Sequence, residues 1–316
     1  MRCLPRSLVV LLLLACSAPL LAAPPAVKKK ARPAASQFLR IRRDAKGQPV
    51  ALETAIVRYV PASGEGDLEV DLVAAVHIGD AAYYDRLNKQ FEHYDVLLYE
   101  LVAPEGKRVP RRDRPSDNPI AILQQIAKTV LDLDWQIDRI DYRKKNFVHA
   151  DLSPKEMAEA IRMRGDDGVT LALSITADLL RQYNLQEMKK EKNPPKDEDV
   201  DLDLASLLLD PDAPVKLKRV MAQQFEAVAG GTGLGKTLDT ILVRDRNKAA
   251  MKVFQKQLAR GKKKVAIFYG AAHMPDFEKR LREDFGLKPK SRQWLTAWDL
   301  QAKEHGLEDL LKLFDP

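Results

Sequence analysis

The apolar positions of this chain gather into three runs of strand length, and each run ends on a polar residue. The first is Val70-Asp71-Leu72-Val73-Ala74-Ala75-Val76, followed at once by His77-Ile78-Gly79-Asp80. The second, Val96-Leu97-Leu98-Tyr99, closes on Glu100, and residues 82–94 between the two carry helical spacing. The third lies far downstream: Lys264-Val265-Ala266-Ile267-Phe268-Tyr269, then Gly270-Ala271-Ala272-His273. Short apolar runs flanking a helix predict a βαβ unit whose strands are covered on both faces. Ligands of open α/β sheets bind at the C-terminal strand edge. His77, Glu100 and His273 all fall there.

The remaining pattern fills in the architecture. Residues 38–60 read as a strand pair with Gln48-Pro49 near its turn, and residues 61–67, with Gly64 and Gly66, as the hairpin loop into the central strand. Asn118-Pro119 opens a helix whose apolar face is Ile120, Leu123, Ile126, Ala127, Val130 and Leu133. Residues 146–152 are strand-like, and Ser153-Pro154-Lys155-Glu156 is a capping box with proline in the first turn. His149 and Asp151 therefore have a plain role as the approach to that helix, and rank second as site candidates. Residues 214–228 and 237–258 read as two long helices, and Trp294 and Trp298 as packing residues near a final strand. The fold expected is α/β, with α+β as the alternative: a central mixed sheet flanked by helices. The two strand-then-histidine units suggest two pseudo-repeated halves. One domain, residues 38–316, is expected, interrupted by a charged, proline-bearing exposed loop at 189–203.

The start of the chain is set apart from that domain. Arg2 and Arg6 precede the apolar stretch 8–15 and a group of small residues, the pattern of a secretory signal peptide over residues 1–22. Cleavage after Ala22 would release a free chain, the favoured reading. Leu13-Leu14-Ala15-Cys16 also resembles a bacterial lipobox, which would place a lipid on Cys16. A periplasmic or secreted protein is expected either way. Both cysteines, Cys3 and Cys16, lie in the leader, so disulfides and cysteine-ligated zinc are excluded from the domain. The formal net charge is +7. Much of the excess sits in Lys28-Lys29-Lys30-Ala31-Arg32, within a basic Pro/Ala tether at 23–37 that reads as disordered and suits contact with an anionic membrane surface. Nucleic acid is not expected, because the basic run lacks interleaved aromatics. The loop 104–117 holds Arg108, Arg111, Arg112 and Arg114. It reads as a solvated connection, with an anion-binding rim as the alternative.

One motif is discounted. Gly230-Gly231-Thr232-Gly233-Leu234-Gly235-Lys236-Thr237 satisfies the P-loop pattern, whose backbone N–H groups cradle phosphates. That pattern requires a buried strand before the loop, and residues 215–226 have helical spacing instead. A glycine-rich turn between helices is the better reading.

The candidate chemistry rests on two imidazoles and a carboxylate, which suit either a divalent metal or acid–base work. The segments that carry them resemble the TraB/TIKI family (TraB/PrgY/GumN-like). The matching parts are Ala74-Ala75-Val76-His77-Ile78-Gly79-Asp80, Val96-Leu97-Leu98-Tyr99-Glu100, and the pair Arg246-Asn247 followed by Phe268-Tyr269-Gly270-Ala271-Ala272-His273-Met274. The resemblance spans roughly residues 51–286. It implies an α/β fold in which two Gly-x-x-His segments approach each other across the sheet, and a metal-dependent protease activity. The wider clan includes haem-binding proteins and esterases. Carried over residue by residue, it makes His77, His273 and Glu100 ligands of a divalent ion (manganese, cobalt or zinc), with Arg246 and Asn247 close by. Ala74 stands where the family has its first glycine. Glu100 is read as ligand or as general base, with Asp80 as a spare carboxylate whose ordinary role is helix capping. Arg246 would stabilise an oxyanion or hold a substrate carboxylate, and Asn247 would orient the glutamate. The function expected is an exported metal-dependent hydrolase of peptidase type acting on a peptide or small molecule. The alternative is a non-catalytic protein binding haem, a metal or a peptide at the same site.

Overall fold

The computed structural model describes residues 38–102, 131, 133–163, 213–229 and 239–301. The leader, the tether, the arginine-bearing loop, most of the helix expected after Asn118, the charged loop at 189–203 and the P-loop-like segment 230–237 all lie outside them. Among the described residues, no helix is long and apolar enough to cross a membrane.

One seven-stranded mixed sheet carries the molecule. The expected strand pair forms as β1 (Leu39–Arg43) and β2 (Pro49–Pro61), and β2 runs on to meet β3 (Glu69–Ala75) in an antiparallel hairpin. The last strand, β9 (Leu287–Asp299), pairs with β2 from Ala51 to Pro61. A strand has only two edges, so β1 and β3 share the opposite edge of β2 in successive halves. This double pairing explains why β2 is buried along nearly its whole length.

The parallel part of the sheet holds β3, β8 (Lys264–Gly270), β5 (Val96–Tyr99) and β7 (Phe147–His149), in that order. The helix α1 (Ala81–Gln90), extended by the tight turn Phe91–His93, connects β3 to β5, and β8 inserts between them. Asp95 fixes that insertion at the N-terminal end, its Oδ2 accepting from the backbone N–H groups of Lys263 and Lys264 at 3.0 and 2.9 Å. At the other end Ala75 lies level with Gly270, Phe268 with Tyr99, and Tyr99 with His149. β3 and β8 therefore end level with each other, and β5 and β7 end together two residues earlier. A two-residue bridge, β4 (Ile78–Gly79) with β6 (Asp134–Trp135), lies beyond that edge, followed by the short turn α2 (Gln136–Arg139).

Helix α3 (Pro154–Arg162) begins with the expected capping box between Ser153 and Glu156. Helix α4 (Ala213–Ala229) packs on β1, α5 (Asp245–Ala259) on β5, and α6 (Met274–Glu283) on β3 and β9. Phe91, Phe254, Phe268 and Phe277 fill the core and are fully buried. Trp298 is wholly buried and donates from Nε1 to the Ile78 carbonyl at 2.7 Å, and Trp294 lies under the Arg40 guanidinium.

One local expectation is refined and one corrected. The described part of 237–258 is helical throughout, and Thr240–Arg244 is a wider π-turn that runs directly into α5. Such turns insert an extra residue and are frequent at functional sites. Asp80 holds the N-cap position of α1 without a side-chain cap bond. Its Oδ2 instead accepts from the Asp299 N–H at 2.7 Å, and Lys218 Nζ stands 3.5 Å from Oδ1. That contact ties α1 to β9 and α4, and it takes Asp80 away from the two histidines.

Candidate active site

Each parallel strand delivers polar groups just past its C-terminal end. From β3 comes His77, from β5 Glu100, from β8 the Gly270 N–H and His273, and from β7 Asp151. The bare Cα of Gly270 is the meeting point. A Cβ built there would lie 3.4 Å from Glu100 Oε2, 3.5 Å from His77 Nε2 and 3.8 Å from His273 Cδ2. Glycine thus keeps open a space the size of a methyl group between the two histidines and the carboxylate. Ala74, the departure from the family pattern, sits inside β3, and its carbonyl accepts from the Tyr83 hydroxyl. An extended strand accommodates alanine as readily as glycine.

Glu100 is held from two sides. Oε2 accepts from the Gly270 N–H at 2.7 Å, and Oε1 from Arg246 Nη2 at 2.7 Å. Arg246, presented by the first turn of α5, is itself forked onto Asp151 through Nε at 3.0 Å and Nη2 at 2.6 Å. All three side chains are buried. Burial by itself would raise the Glu100 pKa. The His273, Arg246 and His77 side chains outweigh it and hold the carboxyl well below its ordinary value. Burial likewise opposes the Arg246 charge, and the two carboxylates restore it, leaving its pKa raised. Glu100 is thus an ionised carboxylate at neutral pH, suited to ligating a cation or serving as a fixed counter-charge. Burial first, then Asp151 and Glu100, raise the pKa of the neighbouring Tyr269, whose hydroxyl donates to the Ala150 carbonyl.

His273 is fixed through its other nitrogen. Asn247 Nδ2 donates to the His273 carbonyl and to Asp276 Oδ2, both at 2.9 Å. Its Oδ1 is therefore an acceptor, and His273 Nδ1 donates to it at 2.7 Å. That leaves Nε2 turned toward Glu100 Oε1 at 3.5 Å, where a protonated ring donates to the carboxylate and a deprotonated ring offers its lone pair to a metal. Metal-binding histidines are commonly held in this way, the far nitrogen donating to an oxygen behind it.

His77 is the exposed member. Its carbonyl accepts from the Gln136 N–H at 2.9 Å, and Ile78 pairs with Trp135. Gly79 allows this close packing, because a Cβ there would stand 3.3 Å from the Ala297 carbonyl oxygen and 3.2 Å from Tyr83. His77, Glu100 and Arg246 form the floor of a cleft of about 250 Å³. Leu101, Val102, Trp135, Ile137 and Tyr142 wall it. Val102 and Ile137 are two of the large apolar side chains left exposed among the described residues, and they give the cleft a greasy rim suited to apolar groups of a ligand.

The candidates from sequence thus fall into two groups. His77, Glu100, His273, Arg246, Asn247 and the second-ranked Asp151 come together. His149 turns aside, its Nε2 bonded to the Leu101 carbonyl at 2.6 Å. Two roles are redistributed. Asn247 orients His273, whereas Arg246 orients the glutamate with Nε and Nη2 committed to carboxylates. Asp276, Tyr142, Trp135 and Gln136 went unnoticed in the sequence. Only Asp276 had a signal, standing three residues after His273 in the first turn of α6.

This geometry offers a divalent ion a set of donors without a closed site. Two imidazoles and an ionised carboxylate are suitable donors, Gly270 leaves a cradle among them, and His273 and Glu100 are each backed by a hydrogen-bonded partner. As they stand, no group of three or more His, Cys, Asp or Glu among the described residues is arranged to hold an ion. Ligation therefore requires these side chains to draw further together. No protein-family model, curated protein or solved structure matches the chain.

Proposed function

We propose that the chain is an exported hydrolase of the TraB/TIKI type, acting on peptide-like substrates with a divalent ion held by His77, His273 and Glu100. The observation that carries this reading is the convergence of the three donors on Gly270, two of them, His77 and Glu100, also lining an apolar-walled cleft. Bound there, manganese, cobalt or zinc would polarise a carbonyl and lower the pKa of a water. The chain's own residues prepare the place. Arg246, braced by Asp151, fixes the direction of Glu100, and Asn247, braced by Asp276, fixes His273. His77, exposed at the floor, meets the substrate first. The apolar walls seat side chains and exclude water around the reacting group. Export rests on the residue pattern of positions 1–22, and contact with an anionic membrane surface on the basic tether.

The test is metal analysis and thermal stabilisation of the purified protein beside a His77→Ala, His273→Ala double variant, each loaded with manganese, cobalt and zinc. Specific stabilisation of the parent alone, with cleavage of a peptide library, is the expected result. Identical behaviour of the two proteins would sink the metal reading. A second reading is non-catalytic binding of a peptide, a metal or haem. It is favoured by Glu100, both of whose oxygens are already hydrogen-bonded within the protein. Metal or peptide binding without turnover would select it.

A further inference from the structure

The antiparallel side of the sheet carries a cationic strip with a tryptophan set into it. Opposed residues of antiparallel strands point to the same face, as do alternate residues of one strand. Arg42 lies opposite Ala51 of β2 and Arg40 opposite Glu53, while from β9 Trp294 lies opposite Ala55 and Arg292 opposite Val57. These side chains therefore share one face, along about 20 Å of strand at about 3.4 Å per residue. The contacts agree with the register: the Arg40 guanidinium lies 4.0 Å from the centre of the Trp294 ring, and that of Arg292 5.8 Å. Among the described residues Glu53 is the carboxylate beneath them, accepting from Nε of both Arg40 and Arg42 at 2.8 Å. Its side chain is 8 % exposed against 37 % and 49 % for the two arginines, so solvent meets the cations and not the anion. Arg292 is exposed as well, and Trp294 is half-buried. Arg282 and Glu278 of α6, both near Tyr59 with Arg292, pair at 3.9 Å and add no net charge.

We propose that this strip is a docking face for an anionic phospholipid surface, with the arginines on lipid phosphates and Trp294 among the headgroups. Three features select lipid. The planar fork of arginine matches phosphate oxygens. Tryptophan, with an apolar body and a polar edge, is a residue of the membrane–water interface. The third feature is chain order, because the basic run Lys28-Lys29-Lys30-Ala31-Arg32 leads into β1. A chain spans at most about 3.6 Å per residue, which keeps Arg32 within about 29 Å of Arg40. One flat anionic surface can therefore meet both the run and the strip, whereas an acidic polypeptide would satisfy the arginines alone. The proposal rests on the reading of the tether as a membrane contact, and adds to it a fixed orientation of the folded domain.

The test mixes the purified protein with phosphatidylcholine vesicles, with and without phosphatidylglycerol, whose acyl chains are brominated to quench nearby tryptophan. The parent should sediment with the phosphatidylglycerol vesicles and lose fluorescence. Trp294→Phe should abolish the quenching at vesicle concentrations where it is still bound, because the other two tryptophans, Trp135 and Trp298, line the cleft and the core. Arg42→Gln with Arg292→Gln should weaken partitioning about 25-fold, about fivefold per charge, with an unchanged urea midpoint. Lys28→Gln with Lys30→Gln takes the same charge from the tether. It should weaken binding and leave Trp294 of the bound protein quenched. Should the arginine variant fail to fold, the parent and Trp294→Phe decide alone. Binding of the parent without quenching overturns the docking face and leaves the tether contact standing. Quenching that survives in Trp294→Phe places the lipid against another surface and overturns it too, as does equal binding to vesicles of phosphatidylcholine alone. No binding to either vesicle removes both the face and the tether contact, and capture by poly-glutamate in that case assigns the strip to an acidic polypeptide.

Discussion

Gly270→Ala should separate stability from function at this site. The backbone of Gly270, at φ −52° and ψ 143°, lies in a region open to any L-residue. The added methyl carbon would meet its nearest neighbours at 3.4, 3.5 and 3.8 Å, ordinary van der Waals distances. The Gly270 N–H that holds Glu100 is untouched. An alanine in a compatible conformation stabilises by about 0.4–1 kcal/mol through the unfolded state, and desolvation of the two polar neighbours offsets part of that. The net change in urea denaturation should therefore stay within about 1 kcal/mol of the parent. The effect on the site is of a different size. An ion must come within about 2.0–2.2 Å of imidazole nitrogen and carboxylate oxygen, and the methyl occupies the space between Glu100 and His77. Metal-dependent stabilisation and any hydrolysis should fall by about a hundredfold, or about 2.7 kcal/mol. Two results would refute the reasoning: unchanged metal affinity, which removes the cradle, or a stability loss beyond about 3 kcal/mol, which means the site is packed more tightly than those distances allow.

Arg246→Met would leave Glu100 and Asp151 as uncompensated buried carboxylates and should destabilise by about 3–5 kcal/mol; an unchanged denaturation midpoint would contradict the triad. Acidification should act through Glu100, whose folded pKa lies below its ordinary value of 4.5. Its contribution is therefore complete above the ordinary carboxylate range and lost as pH falls through the folded value. The parent should lose stability between pH 7 and pH 3 more steeply than Glu100→Gln, and parallel curves would show that Glu100 is not held as described. Asn247→Ala frees the far nitrogen of His273 and should weaken metal binding about 10–100-fold, while Asn247→Asp, which keeps an acceptor at Nδ1, should recover part of it. Equal loss in both variants would mean that Asn247 acts through packing alone.

The sequence by itself determined where the strands end and which polar residues follow them. An apolar run of four to seven residues closed by His77, Glu100 or Gly270 is local information, because burial in a parallel strand demands continuous apolar character. The capping box at Ser153 was legible for the same reason, its two hydrogen bonds spanning only three residues. Tertiary structure decided the partners. That β8 returns between β3 and β5, setting Gly270 level with Ala75, is a pairing across nearly the whole domain, and no local pattern encodes the order of parallel strands. Arg246 and Asn247 show the limit most sharply. Neighbours on a helix point about 100° apart, so the rotation of α5, fixed by its packing after the π-turn at Thr240–Arg244, sends one to Glu100 and the other to His273. Trp135 and Gln136, which line the cleft beside His77, carried no signal at all, because they reach the site only through the pairing of β6 with β4.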